Sequence, residues 1–276
     1  MHRSPVLTDS RGGLLAFVCD DLHAVMCDPW TRQCRVLEFP WERPGDRKCL
    51  YDYLGAFILN ASHGVGDDKS SLCVYLITNK MDDTTTAEAF VFSARDNGWT
   101  WWTVSADVAN PDTDQRFVGR AGGSIFFSGI NTIDNGHELL VLDEATGDFS
   151  TITLPLVPDD LVEDRENLRV FSGGAGTLVC IICLVDDDLK VLKVMRDHHG
   201  RWECTVEKSV HLCQAANIES SWAKRRSWRF LDTTTTTVAT LVLGAFSRSS
   251  TLLFYIDVET MKLQRANKMT TSLNAK

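Results

Sequence analysis

Apolar and polar residues alternate in short runs along most of the chain, and polar reversals separate the runs. Gly136 to Pro155, GHELLVLDEATGDFSTITLP, shows the layout most plainly. An alternating apolar run meets the reversal Asp143-Glu144-Ala145-Thr146-Gly147-Asp148, and a second alternating run ends in proline. Period-two alternation predicts half-buried strands, and an Asp-plus-Gly reversal of this length predicts a hairpin. Four other places share the layout, each with an anchor residue six positions after the residue that opens the reversal. The five pairs are Asp28/Cys34, Ser93/Trp99, Asp143/Phe149, Arg196/Trp202 and Asp257/Leu263. Successive anchors lie 65, 50, 53 and 61 residues apart. Self-similarity at about 50 residues marks a kelch-like propeller, and at about 40 to 45 a WD-repeat one.

Each repeat divides into four strand-like runs joined by short turns, over residues 5–40, 51–105, 116–155, 167–210 and 226–268. No long amphipathic helical period lies between them, which excludes a doubly wound α/β fold. A four-stranded sheet with two apolar faces cannot stand alone, whereas radial stacking covers both faces and shelters the edges. The expectation is therefore an all-β chain. It is a β-propeller of five detectable four-stranded blades forming a single domain over 1–276, complete or cut from a larger ring. A sandwich or two small barrels would show similar strand spacing. Longer polar segments link the units: WERPGDRKC, ADVANPDTD, LVPDDLVEDRE and HLCQAANIESSWAKR. In a propeller they share one face with the loops joining each blade's second and third strands.

Composition narrows the partners. Hydrophobic residues make up 44% and charged ones 24%, as in an ordinary globular protein. Lys and Arg total 28 against 37 Asp and Glu, a net charge of −9, which disfavours a nucleic-acid backbone. The longest apolar run, Leu178 to Val185, is too short to cross a bilayer, and no apolar signal segment follows MHRSPVLTDS. Nine cysteines, an odd number set mostly in apolar runs, predict free buried thiols rather than a disulfide framework. That expectation places the chain in the cytosol or nucleus.

The segments CDPWTRQCRVLEFP, AFVFSARDNGWTWWTV, RAGGSIFFSG and LLVLDEATGDFSTITLP carry a family likeness. They resemble the F-box-associated, kelch-like propeller region of the plant F-box proteins, best at Asp28-Pro29-Trp30-Thr31 and at Asp143 to Gly147. The resemblance implies the substrate-recognition part of a ubiquitin-ligase subunit. It covers the recognition region alone, because nothing in the chain matches the helical F-box that docks the ligase adaptor; adaptor binding is not expected without one.

Candidate chemistry is sparse. Cys180-Ile181-Ile182-Cys183 has redox or metal spacing, yet on a strand positions three apart face opposite ways, so core packing is the expectation. His198-His199 lies in a turn, and His23, His63, His137 and His211 are dispersed. No nucleophile elbow, P-loop or dinucleotide-binding fingerprint occurs. Trp99, Trp101 and Trp102 fit packing between blades, and Thr233 to Thr237 a turn that leads into a strand. Acids gather in loops and reversals, as solvated residues do. No catalytic residue, metal ligand or cofactor is expected.

Charge placement is the more informative signal. Nine segments assigned to one propeller face hold 19 of the acids but only 9 of the bases. Such a field would speed encounter with a basic protein partner and weaken with salt. The expected partner-binding residues are Asp67, Asp68, Asp112, Asp114, Asp134, Asp159, Asp160, Asp186 and Asp187, with Trp41, Arg43, Trp222 and Arg225 as anchors. Non-catalytic protein recognition is the expected role. The competing classes are a propeller enzyme or carbohydrate binder using acids at the central channel, and a fragment without function.

Overall fold

The computed structural model describes residues 5–20, 23–38, 51–58, 73–80, 87–93, 98–105, 116–131, 136–155, 168–173, 178–197, 201–218, 227–231, 240–246 and 251–266. Those residues hold twenty strands and one short helix. The strands fall into five antiparallel meanders, called blades below, in which sequence neighbours are sheet neighbours. Blade 1 is β1 (Val6–Arg11), β2 (Leu14–Asp20), β3 (His23–Asp28) and β4 (Gln33–Glu38). Blade 2 is β5 (Tyr51–Ile58), β6 (Cys73–Lys80), β7 (Ala87–Ser93) and β8 (Gly98–Ser105). Blade 3 is β9 (Arg116–Ala121), β10 (Ser124–Asn131), β11 (Gly136–Asp143) and β12 (Phe149–Thr153). Blade 4 is β13 (Leu168–Gly173), β14 (Leu178–Val185), β15 (Asp188–Arg196) and β16 (Trp202–His211), followed by the helix α1 (Leu212–Ala215). Blade 5 is β17 (Ser227–Phe230), β18 (Thr240–Phe246), β19 (Thr251–Asp257) and β20 (Lys262–Arg265). No helix among the described residues is long and apolar enough to cross a membrane.

The repeated reversal has a shared register and a shared cause. Anchor residues pair with the residue just before the opener in four blades: Cys27↔Cys34, Phe92↔Trp99, Leu142↔Phe149 and Ile256↔Leu263. Blade 4 differs by one place, with Arg196↔Trp202. Where an aspartate opens the turn, its carboxylate accepts backbone N–H bonds from within it. Asp28 Oδ1 accepts from Trp30 N at 2.9 Å and Thr31 N at 3.2 Å. Asp143 Oδ1 accepts from Ala145 N at 2.9 Å and Thr146 N at 3.2 Å. Asp257 Oδ1 accepts from Thr260 N at 2.8 Å and from its hydroxyl at 2.9 Å. These side-chain turns satisfy amide groups that no strand can reach, so the Asp is needed where it recurs.

Two compact units divide the chain: Met1–Val118 with Gly123–Leu154, and Gly119–Gly122 with Pro155–Lys276. In the first, apolar residues on alternate positions of one strand turn toward different neighbours. Ala56 and Ile58 pack with Ala16, Ala24, Met26 and Leu37 of blade 1, whereas Phe57 packs with Ile125, Phe127, Leu140 and Leu142 of blade 3. Burial on both faces is what the two-sided apolar alternation requires. Phe57 lies 4.8 Å from Phe117 and 5.6 Å from Phe127, ring centre to ring centre, in tilted and edge-on geometry. Each such aromatic pair adds about 0.5–1.5 kcal/mol beyond its buried area.

First strands are also neighbours. Thr8 Oγ1 on β1 donates to Ala56 O at 2.8 Å, and Ile58 N on β5 donates to Asp9 Oδ2 at 2.8 Å. Within the second unit β13 is bridged in parallel to β9 at one position, Val170 opposite Gly119. Phe171 shares a cluster with Trp228 and Phe230 of β17, and Arg169 lies over the Phe230 ring at 5.3 Å. Antiparallel meanders packed face to face with their first strands side by side are the blades of a β-propeller. The chain is all-β, with five four-stranded blades.

Two expectations are corrected here. The cysteines are not all free: Cys27 and Cys34 are disulfide-bonded, because the Asp28 reversal sets them directly opposite on β3 and β4. Nor are all acids solvated. Glu144, in the β11–β12 reversal, is 2% exposed and Asp9, on β1, 7%, each held by hydrogen bonds that offset desolvation. Cys180 and Cys183 are buried on β14 as core residues, with Cys180 in the cluster shared with blade 5. A register shift in the β7–β8 ladder leaves Trp102 without an opposed partner, so strict alternation fails there. His63, His198, His199 and Thr233 to Thr237 lie outside the described residues.

Candidate functional site

Of the thirteen expected partner-binding residues, Asp186 and Asp187 are described; Trp41, Arg43, Asp67, Asp68, Asp112, Asp114, Asp134, Asp159, Asp160, Trp222 and Arg225 lie outside. The two aspartates form the whole β14–β15 connection, since Val185 pairs with Asp188. A two-residue hairpin needs positive φ where its twist must match the strands, and Asp186 supplies it at φ 54°. Its neighbours explain why the turn is polar and the strands are not. β14 is buried along nearly its whole length, from Val179 to Val185, and the chain leaves the core only at Asp186.

Three contacts fix this acidic tip. Asp188 pairs in register with His211 at the end of β16, and His211 Nδ1 lies 2.9 Å from Asp188 Oδ1. One residue on, Leu212 N donates to Asp187 O at 2.7 Å. Leu212 and Cys213 are buried, 0% and 5% exposed, beside Leu189 and Val191 of β15. The connection from blade 4 toward blade 5 is therefore plugged into the core directly beneath the acidic turn. Ala216 N and Ile218 N close back on Leu212 O at 2.8 Å and Cys213 O at 2.9 Å. In this blade the loop joining the second and third strands is hydrogen-bonded to the start of the segment leaving the fourth.

Sequence reasoning passed over Trp30. It sits in the β3–β4 turn and is 88% exposed, the largest exposure among the big apolar side chains described. Asp28 accepts the Trp30 amide, which fixes the turn backbone, and Arg32 completes the reversal at φ 58°. The readable signal was a tryptophan two places after a turn-opening aspartate and next to proline. At a hairpin tip, a side chain has no core to enter. The described residues include no group of three or more His, Cys, Asp or Glu arranged to hold a metal ion.

No protein-family model matches the sequence, and no curated protein matches it. Among solved structures, the chain is similar to the WD40 domain of SCAP from fission yeast, at TM-score 0.43 and 6% identity. It spans 92% of this chain and 52% of that one. The β-propeller domain of Cps50 (Swd1) from Myceliophteria thermophila gives TM-score 0.47 and 12% identity, over 94% of this chain and 72% of that one. Oligogalacturonate lyase from Vibrio parahaemolyticus gives TM-score 0.47 and 10% identity, over 96% and 65%. Likeness this distant names no activity or partner, and the propeller assignment rests on the strand pairings and blade packing above.

Proposed function

We propose that this chain is a non-catalytic protein-recognition module that binds a basic protein segment through acidic loops. The reading rests on the Leu212 N to Asp187 O bond, which joins an acidic hairpin tip to the start of a blade connection. Two loops so tied form one preorganised surface, and preorganisation lowers the ordering cost of association. Asp186, Asp187 and Asp188 put three carboxylates on that tip. The blade scaffold beneath keeps the carboxylates in place without help from the partner. The same reading carries the resemblance to F-box substrate receptors: the chain acts as their recognition part, in the cytosol or nucleus, without adaptor binding of its own.

The test is affinity capture from plant extract with the wild-type chain and with Asp186→Lys/Asp187→Lys, across a salt series. Basic proteins recovered by the wild type at low salt, lost at high salt and lost in the variant support the proposal. Equal recovery by both chains refutes the acidic site, and capture of an F-box adaptor by the isolated chain refutes the adaptor-independent reading.

A further inference from the structure

Among the described residues, Cys27 and Cys34 are the sulfurs that are joined in a disulfide. They face each other across β3 and β4 with Cα atoms 4.1 Å apart, close to the usual spacing of directly opposed strand residues. β4 is the last strand of its sheet, Cys34 is exposed and Cys27 half-buried. The remaining described thiols contrast with it. Cys180, Cys183 and Cys213 are buried, and burial pushes the Cys183 and Cys204 thiols up to about 11. A protonated, buried thiol is a poor nucleophile, and Cys19, a partly exposed thiol on β2, has no cysteine opposite it in the β1–β2 or β2–β3 register.

The hairpin also does not depend on the bridge to bring its sulfurs together. Six consecutive register pairs, His23↔Glu38 to Asp28↔Gln33, hold β3 against β4, and the Asp28 carboxylate closes the turn. Both sulfurs therefore stay opposed whether bonded or not, which is the condition for reversible exchange. Only seven positions separate the two cysteines, and closing so short a loop restricts the unfolded chain less than a long-range bridge would.

We propose that Cys27 and Cys34 form a reversible dithiol–disulfide site that exchanges with low-molecular-weight thiols of the glutathione class. Its state sets how firmly the hairpin presenting Trp30 and Arg32 is held. In oxidation the exposed Cys34 thiolate attacks a sulfur of glutathione disulfide, forming a mixed disulfide and releasing one glutathione thiolate. The Cys27 thiolate then attacks the Cys34 sulfur, closes the bridge and releases the second glutathione. The protein gives up two electrons and its two thiol protons, and the glutathione disulfide gains two electrons; reduction runs the same steps backward.

The experiment equilibrates the full chain in glutathione buffers of graded oxidised-to-reduced ratio, quenches with acid, alkylates, and locates labelled cysteines by mass spectrometry. A parallel aliquot is digested with trypsin, which cuts after Arg32. Cys27 and Cys34 are expected to lose label together as the buffer becomes oxidising, with cleavage after Arg32 slowing several-fold. Cys34→Ser, a change at an exposed position, abolishes both responses. Labelling that does not change across the series overturns the exchange site. A bridge that forms without slowing cleavage overturns the control of the hairpin, as does a slowing that survives in Cys34→Ser.

Discussion

Gly119 offers a direct measure of how closely the first strands of neighbouring blades approach. A methyl group built on Gly119 overlaps the Val170 carbonyl oxygen outright, and it meets the Val170 carbonyl carbon and Cβ at 2.8 Å. Relaxed carbon contacts lie at about 3.5–4.0 Å, so β9 and β13 must separate by several tenths of an ångström for alanine to fit. Overpacking of this kind costs about 1–3 kcal/mol. Weakening the single bridge adds about 0.5–1.5 kcal/mol. Together these put Gly119→Ala about 1.5–4.5 kcal/mol below the wild type, and its own φ of +153° adds backbone strain as at Gly123. Gly123 serves as the internal comparison, because it has φ +75° with nothing within 4 Å of a built methyl. Its replacement by alanine meets only the left-handed backbone penalty, about 1 kcal/mol. Urea denaturation followed by tryptophan fluorescence gives the difference between the two variants. Thermal melts should show Gly119→Ala lower by very roughly 5–15 °C, given about 2–4 °C per kcal/mol at this size. If Gly119→Ala costs no more than Gly123→Ala, the close approach of Gly119 to Val170 is wrong.

Other expectations concern charge and protonation. Arg11 Nη1 donates to Glu144 Oε2 at 2.8 Å with the Glu144 side chain only 3% exposed, so Arg11→Met should lose about 2–3 kcal/mol in urea titrations. Adding Glu144→Leu should recover much of that loss, and a double variant less stable than Arg11→Met alone would refute the account. Hydrogen bonds from the Thr31 hydroxyl and amide hold the Asp28 carboxyl below its ordinary value. Because the folded value is depressed, its contribution is complete above the unfolded value and lost as pH falls through the folded one. The melting-temperature gap between wild type and Asp28→Ala should accordingly stay constant near neutral pH and close below about pH 4; a gap that widens on acidification contradicts this. Cys183 and Cys204 are shifted the other way, up to about 11 by burial, with Cys183 adding to the effect on Cys204. Their contribution is complete below the ordinary thiol value and disappears as pH rises from about 9 through about 11. Over that window the urea midpoint of the wild type should fall faster than that of Cys183→Val/Cys204→Val, and parallel declines would count against it.

Blade limits were legible in the sequence because each depends on neighbours in the chain. Alternation at period two marks a strand wherever it occurs, and Asp28, Asp143 and Asp257 mark turns because a carboxylate two or three residues upstream caps the turn's own amides. Blade 4 kept its hairpin but moved its cap one residue on, to Asp197, whose carboxylate accepts from Arg201 N at 2.8 Å and Nε at 3.1 Å. The anchor count of six survived that change, while the register slipped by one. The two described members of the candidate site, Asp186 and Asp187, were equally readable as a polar pair between two apolar runs. What holds them was not, because the bond from Leu212 spans β15 and β16, and no local spacing announces it.

The chain's own letters determined its strands, its turns and its five-fold repetition, since these follow from backbone stereochemistry and side-chain alternation within a few residues. Tertiary structure decided which polar residues leave water and which sulfurs meet. Glu144 was a loop acid by sequence, and it is buried because a cation from β1, 133 positions away, comes within hydrogen-bonding reach. Cys27 and Cys34 were two thiols among nine, and opposition across one ladder makes them a pair. Trp30 stays 88% exposed at the tip of its turn, with Gly13 of the same blade beside its ring. Burial and pairing depend on distances between remote segments, and only folding sets those distances.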